Sequence, residues 1–98
     1  MTYRIILAST AEKDIEEIIE WYGKENNDIS RKFIHELEEQ LQIIALNPFL
    51  FQEVYKNYRK ANTGKFPYKI VYRIEDESIL VAAIVHNKRE PKIWQKRT

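Results

Sequence analysis

"FPYKIVYRIEDESILVAAIVH", residues 66–86, decides the fold. In its first part Tyr68, Ile70, Tyr72 and Ile74 alternate with Lys69, Val71 and Arg73, the period of two expected of a strand with one covered face. "EDES" (75–78) reads as a turn. "ILVAAIVH" (79–86) is apolar almost throughout, which predicts a central strand covered on both sides. On that strand His86 shares a phase with Leu80, Ala82 and Ile84. Lys69 and Arg73 then belong to the face turned away from the core.

Upstream, "VYKNYRKAN" (54–62) reads as a polar strand near a sheet edge, because so many of its side chains are charged. "TGK" turns it into the decisive stretch, so the last three strands can pair as an antiparallel meander. "YRIIL" (3–7) is a short, β-branched strand. Ser9 and Glu12 have the spacing of a capping box at the start of a helix. Ala11, Ile15, Ile18, Ile19 and Tyr22 recur at helical spacing with acids between them. Gly23 and "ENND" break that run, and Asp28 or Ser30 is placed to cap a second helix. Its apolar stripe is Phe33, Ile34, Leu37, Leu41, Ile44 and Ala45. Asn47-Pro48 stops it, since a residue before proline is pushed out of the helical region. The order is βααβββ in one α+β domain spanning residues 1–98, a helical hairpin packed on a mainly antiparallel sheet. Its expected core takes Ile15, Ile18, Ile19, Phe33, Leu37, Leu41, Ile70, Tyr72, Leu80, Ala82 and Ile84.

The 98 residues are 44% hydrophobic and 12% aromatic, enough for one core. The absence of cysteine removes disulfides, thiolate nucleophiles and thiolate metal sites. No segment approaches transmembrane length, and the expectation is a cytoplasmic chain without membrane contact. The net charge of +1 hides an asymmetry. Residues 1–54 carry five Lys and Arg against eleven Asp and Glu, a net of −6; residues 55–98 carry eleven against four, a net of +7. A split of this kind points to a positive face that meets an anionic partner, or to neutralisation across the fold. The helix acids Glu12, Asp14, Glu16, Glu17 and Glu20 are interspersed with Lys13 and Lys24 and read as a solvated face, not a metal site.

"HNKREPKIW" (86–94) gathers His86, Lys88, Arg89 and Lys92 before Trp94. His86 has an unperturbed pKa near neutrality and is either a proton-transfer group or a strand-end residue hydrogen-bonded to the tail. Arg89 can clamp a phosphate bidentately or form an ion pair. Lys60, Lys65 and Lys69 can track a phosphate backbone with Tyr58 and Tyr68 as stacking groups, or keep an edge strand soluble. Trp94 reads as a packing anchor, and His35 needs no special role.

The ordered set Gly64, Phe66, Pro67, Tyr68, Tyr72, Arg73, Glu75, Asp76, His86, Arg89, Pro91 and Trp94, together with the βααβββ order, resembles the RelE/ParE superfamily of toxins from type II toxin–antitoxin modules. The resemblance covers nearly the whole chain. It implies a small toxin held inactive by a cognate antitoxin in a hetero-oligomer. One branch cuts messenger RNA on the ribosome without metal or cofactor; the other poisons DNA gyrase. In the RelE-like branch a Lys/Arg cluster works with a C-terminal Tyr or His. Lys60, Lys69 and Arg89 fall near those basic positions, and His86 is the available proton-transfer group. The C-terminal tyrosine of that branch is missing here, with Trp94 and Gln95 in its place, and neither indole nor amide transfers a proton at neutral pH. The resemblance therefore favours a ParE-like, gyrase-directed toxin with a target-binding set of Arg59, Lys60, Lys69, Arg73, Arg89 and Lys92. The alternatives are a ribosome-dependent endoribonuclease using Lys60, Lys69, His86 and Arg89, and a degenerate toxin or non-catalytic binding module. An antitoxin is expected to fill an apolar groove and to lay an acidic segment over the basic face.

Overall fold

The computed structural model describes residues 2–88. Strand β1 (Arg4–Leu7) leads into helices α1 (Ser9–Gly23) and α2 (Asn27–Leu46), and a single 3-10 turn (Pro48–Leu50) follows. Strands β2 (Glu53–Tyr55), β3 (Tyr58–Thr63), β4 (Phe66–Glu75) and β5 (Ser78–His86) come next. They form one five-stranded sheet in the order β1-β5-β4-β3-β2, parallel at β1–β5 and antiparallel elsewhere. Both helices pack on one face, which gives the expected α+β architecture. Among the described residues no helix is long and apolar enough to cross a membrane.

Helix α1 starts at Ser9 without a side-chain cap, so the expected capping box does not form. The backbone N–H of Ala8 donates to the Val81 carbonyl at 2.9 Å. The chain is therefore still extended at Ala8, and Ser9 is already inside the first turn, too late to act as N-cap. Helix α2 is capped not by Asp28 or Ser30 but by Asn26, whose side-chain oxygen accepts from the Asp28 N–H at 2.8 Å. The α2 run ends at Leu46, directly before Asn47-Pro48, as proline demands.

The stretch read as one strand over 54–62 is a hairpin. Lys56 and Asn57 both take positive φ, 42° and 70°, the geometry of the two-residue turn whose twist matches that of its strands. At the next turn Gly64 has φ 74°, where a side chain is strained.

The two periodicities meet in the core. Ala11, Ile18, Phe33, Leu37, Ile44, Ala61, Ile70, Tyr72, Ile79, Val81 and Ile84 are buried together, and Ile15, Ile19 and Leu41 pack against them. The β5 contribution differs from expectation. Val71 pairs with Ala83 but Tyr72 pairs with Val81, which leaves Ala82 as the extra residue of a β-bulge. A bulge turns two successive side chains to one side. Ile79 and Val81 therefore enter the core ahead of it, and Ile84 after it. Ala82 joins Tyr58, Val71, Ala83 and Val85 in a second cluster on the opposite face, while Leu80 lies outside both clusters.

The hydroxyl of buried Tyr72 donates to the Pro48 carbonyl at 2.6 Å and ties β4 to the turn after α2. Removing it leaves a buried acceptor unmet, so Tyr72→Phe is expected to cost about 1–3 kcal/mol in urea unfolding. Burial pushes the Tyr72 pKa up to about 12, against a smaller opposing pull from Arg59. The folded pKa lies above the unfolded value of roughly 10. This contribution is therefore whole below pH 10 and lost as pH rises toward 12. Tyr72→Phe should flatten the alkaline limb of the stability profile; an unchanged limb would contradict the assignment.

Candidate functional site: a cationic sheet face and an aromatic groove behind it

The face of the sheet turned away from the helices is set by the β3–β4 register, in which Tyr58 pairs with Arg73, Lys60 with Val71 and Asn62 with Lys69. Cross-strand partners share a face, so Lys60, Lys69 and Arg73 stand together around the floor of Val71, Ala83 and Val85. The Arg73 guanidinium lies 5.3 Å over the Tyr58 ring and pairs with Glu75. Burial, with the nearby charge of Lys69, lowers the Lys60 pKa. A lysine crowded by a second cation and partly withdrawn from water gains from any anion brought to it.

Three of the predicted target-binding residues are thus brought together. Arg59 is not with them. It pairs with Tyr72 on the helix side of the sheet, donates to the Phe51 carbonyl at 2.6 Å, packs over the Phe49 ring and faces Glu53 at 3.9 Å. Lys65 lies at the turn toward α2, where its N–H donates to Glu36 at 2.8 Å. The two tyrosines do not offer free stacking faces. Tyr58 is buried beneath Arg73, and Tyr68 sits in an aromatic cluster with Tyr22 and Phe33. Arg89, Lys92 and Trp94 lie outside the described residues.

His86 lies in phase with Ile84 on the helix side, the core side expected of it, although the bulge at Ala82 takes Leu80 and Ala82 off that side; its ring meets Tyr68 edge-on at 5.2 Å. Its Nδ1 accepts the Lys88 N–H at 3.1 Å, which leaves the proton of a neutral ring on Nε2. The imidazole and the Lys60–Lys69–Arg73 cluster are therefore on opposite faces of one sheet. A proton-transfer group and a charge-stabilising cluster must reach the same reacting atoms, and here they face opposite sides of the sheet.

His86 lines a groove instead, together with Asp14, Glu17, Ile18, Trp21, Tyr22, Tyr68, Ile84 and Lys88. An apolar groove was expected, but not this lining, because the α1 acids read as a solvated face. The available signal was the spacing of Asp14, Glu17 and Trp21, which is three then four residues, a single helical stripe.

The profile of the ParE toxin of type II toxin–antitoxin systems, parDE, matches residues 5–91. Toxin ParE2 of Mycobacterium tuberculosis is 28% identical over 92 residues, covering 93% of this chain and 88% of that protein, in both strain CDC 1551 and strain H37Rv. A solved chain of the chromosomal ParDE TA system from P. aeruginosa superposes with a TM-score of 0.75 over 87% of this chain and 96% of that one, at 15% identity, which is a likeness of fold. With the profile spanning nearly all of the sheet and both helices, this chain belongs to the ParE toxin family of type II toxin–antitoxin modules.

Proposed function

We propose that the chain arrests growth by engaging DNA gyrase through the Lys60–Lys69–Arg73 face, and that a cognate antitoxin neutralises it by laying an acidic segment over that face. The carrying observation is the position of His86 behind the sheet, because it leaves the cationic face suited to holding an anionic surface rather than to cutting RNA. Family membership supports the same reading. The matched positive and negative halves of the chain fit a partner that is drawn in by charge and screened by salt.

One observation favours the ribonuclease reading. Lys60 has a lowered pKa, and a lysine so tuned can serve as a general base. Induced expression without the antitoxin separates the two. Blocked replication with a DNA-damage response and intact messenger is the expected result. Messenger cleavage on ribosomes, abolished by Lys60→Ala, would replace gyrase with the ribosome as target. No growth defect would mean a degenerate toxin.

A further inference from the structure

The run QLQIIALNPFLFQ, residues 40–52, holds no Asp, Glu, Lys, Arg or His in a chain of which 32% is charged. It makes up the last two turns of α2, the 3-10 turn and the lead into β2. Its Ile44 and Ala45 are buried in the molecule, but the rest of its apolar content is not. Of the seven large apolar side chains exposed among the described residues, five fall in this run or just after it: Ile43, Leu46, Phe49, Leu50 and Val54. Leu46 and Leu50 are 67% and 61% exposed. Ile43 and Leu46, three residues apart, are neighbours on the helix surface.

The fold holds this surface outward. Arg59 and Tyr72 are cross-strand partners on β3 and β4, and each grips one end of the turn. The Tyr72 hydroxyl donates to the Pro48 carbonyl and the Arg59 guanidinium to the Phe51 carbonyl, both at 2.6 Å. Within the turn the Leu50 N–H donates to the Asn47 carbonyl at 3.2 Å. Phe49 and Leu50 are thus fixed between two anchors, and the Phe49 ring rests against Arg59. A single exposed apolar side chain is ordinary, but a group of them held in place marks a contact surface. A surface already ordered also loses little freedom when it is covered.

Charge decides what covers it. Contact through a two-fold axis sets a surface against its own copy, so a surface of one sign repels itself. The outer sheet face, with Lys60, Lys69 and Arg73, is excluded on that ground. So is the α1 surface, with exposed Glu12, Glu16, Glu17 and Glu20 against Lys13. The 40–52 surface has no charge to oppose its copy and none to draw in an acidic antitoxin segment. At its border stand an exposed acid and an exposed base, Glu53 and Lys56, and a two-fold between them satisfies both at once. We propose that residues 40–54 form the interface of a homodimer. Leu46, Phe49 and Leu50 meet the same surface of the second copy, and Glu53 pairs with Lys56 of the partner subunit. The inference stands apart from the gyrase reading, since neither the cationic face nor His86 takes part.

Sedimentation equilibrium of the full chain, from micromolar to near-millimolar concentration, reads the dimer directly. A monomer–dimer equilibrium is expected. Leu50→Glu sets two carboxylates against each other across the axis and should raise the dissociation constant by about a hundredfold or more. Leu46→Glu should do the same from the helix side of the turn. Both replace exposed side chains, so the urea midpoint should hold, and a fault in one variant does not decide the result. Glu53→Lys and Lys56→Glu should each weaken the dimer a few-fold, as befits exposed ion pairs, and the double exchange should restore it. That restoration is the signature of a pair formed across the two-fold. A chain that stays monomeric throughout would overturn the inference. So would a dimer that Leu46→Glu and Leu50→Glu both leave intact, since its contact would lie elsewhere. A monomer whose amides over 43–54 are protected from exchange, in the free chain or only with an antitoxin bound, would give the surface to another occupant and sink the proposal.

Discussion

Phe33→Ala should lower the unfolding free energy by about 3–5 kcal/mol, the cost of emptying a fully buried aromatic site. Phe33 has no exposed surface and lies where α2 meets the sheet. Its ring is 6.3 Å from Tyr22, 5.4 Å from Phe66 and 5.6 Å from Tyr68. Those rings come from α1 and β4, so no single element can close the void by shifting. A small domain holds only roughly 5–15 kcal/mol in all, and the variant should be partly unfolded at growth temperature. Urea unfolding reads this directly. A loss below about 1 kcal/mol, the range of a volume-conserving core swap, would mean that the site collapses and that the ring cluster is not the hinge of the packing.

The second large effect is on binding. The double variant Lys69→Glu/Arg73→Glu should weaken target engagement by several kcal/mol, on the order of a hundredfold or more, because like charges now meet across the contact. Its urea midpoint should stay close to that of the parent, since both residues are only partly buried. Growth arrest on induction should disappear with it. His86→Ala, on the other face, should leave arrest intact apart from any effect on folding. If His86→Ala abolishes arrest in a folded chain while the double reversal is harmless, the cationic face is not the working surface.

The helices and the meander were legible because their signals are periodic. The Phe33–Ala45 stripe and the Tyr68–Ile74 alternation fix which sides are buried, and Asn47-Pro48 leaves one place for α2 to end. The placement of Lys69 and Arg73 on the outer face followed from the same alternation. What stayed hidden depends on single backbone torsions or single contacts. Lys56-Asn57 contains no glycine, and Lys56 adopts φ 42°, so Asn57 was the one weak turn signal of the first hairpin. The competition between Ala8 pairing and Ser9 capping is settled by Val81, more than seventy residues away. Arg59 could not be separated from Lys60 by charge; only the register shows that adjacent residues point to opposite faces. The lining of the groove was missed because an acid such as Asp14, which holds a backbone amide of β5, has the same letter as one in water.

The extra residue at Ala82 carries a consequence for comparing relatives. A chain with the same residues but an unbroken ladder, with its first half of β5 held as here, would turn Ile84 and His86 outward and draw Ala83 and Val85 in. The imidazole would then stand among the lysines. Two toxins that share this histidine in sequence can therefore display it on opposite surfaces, and matching letters in a column does not make their histidines equivalent. What decides between the surfaces is a one-residue slip, clasped here by Thr10 and Asp14. Gain or loss of acid–base chemistry within such a lineage needs no change in any residue that would perform it.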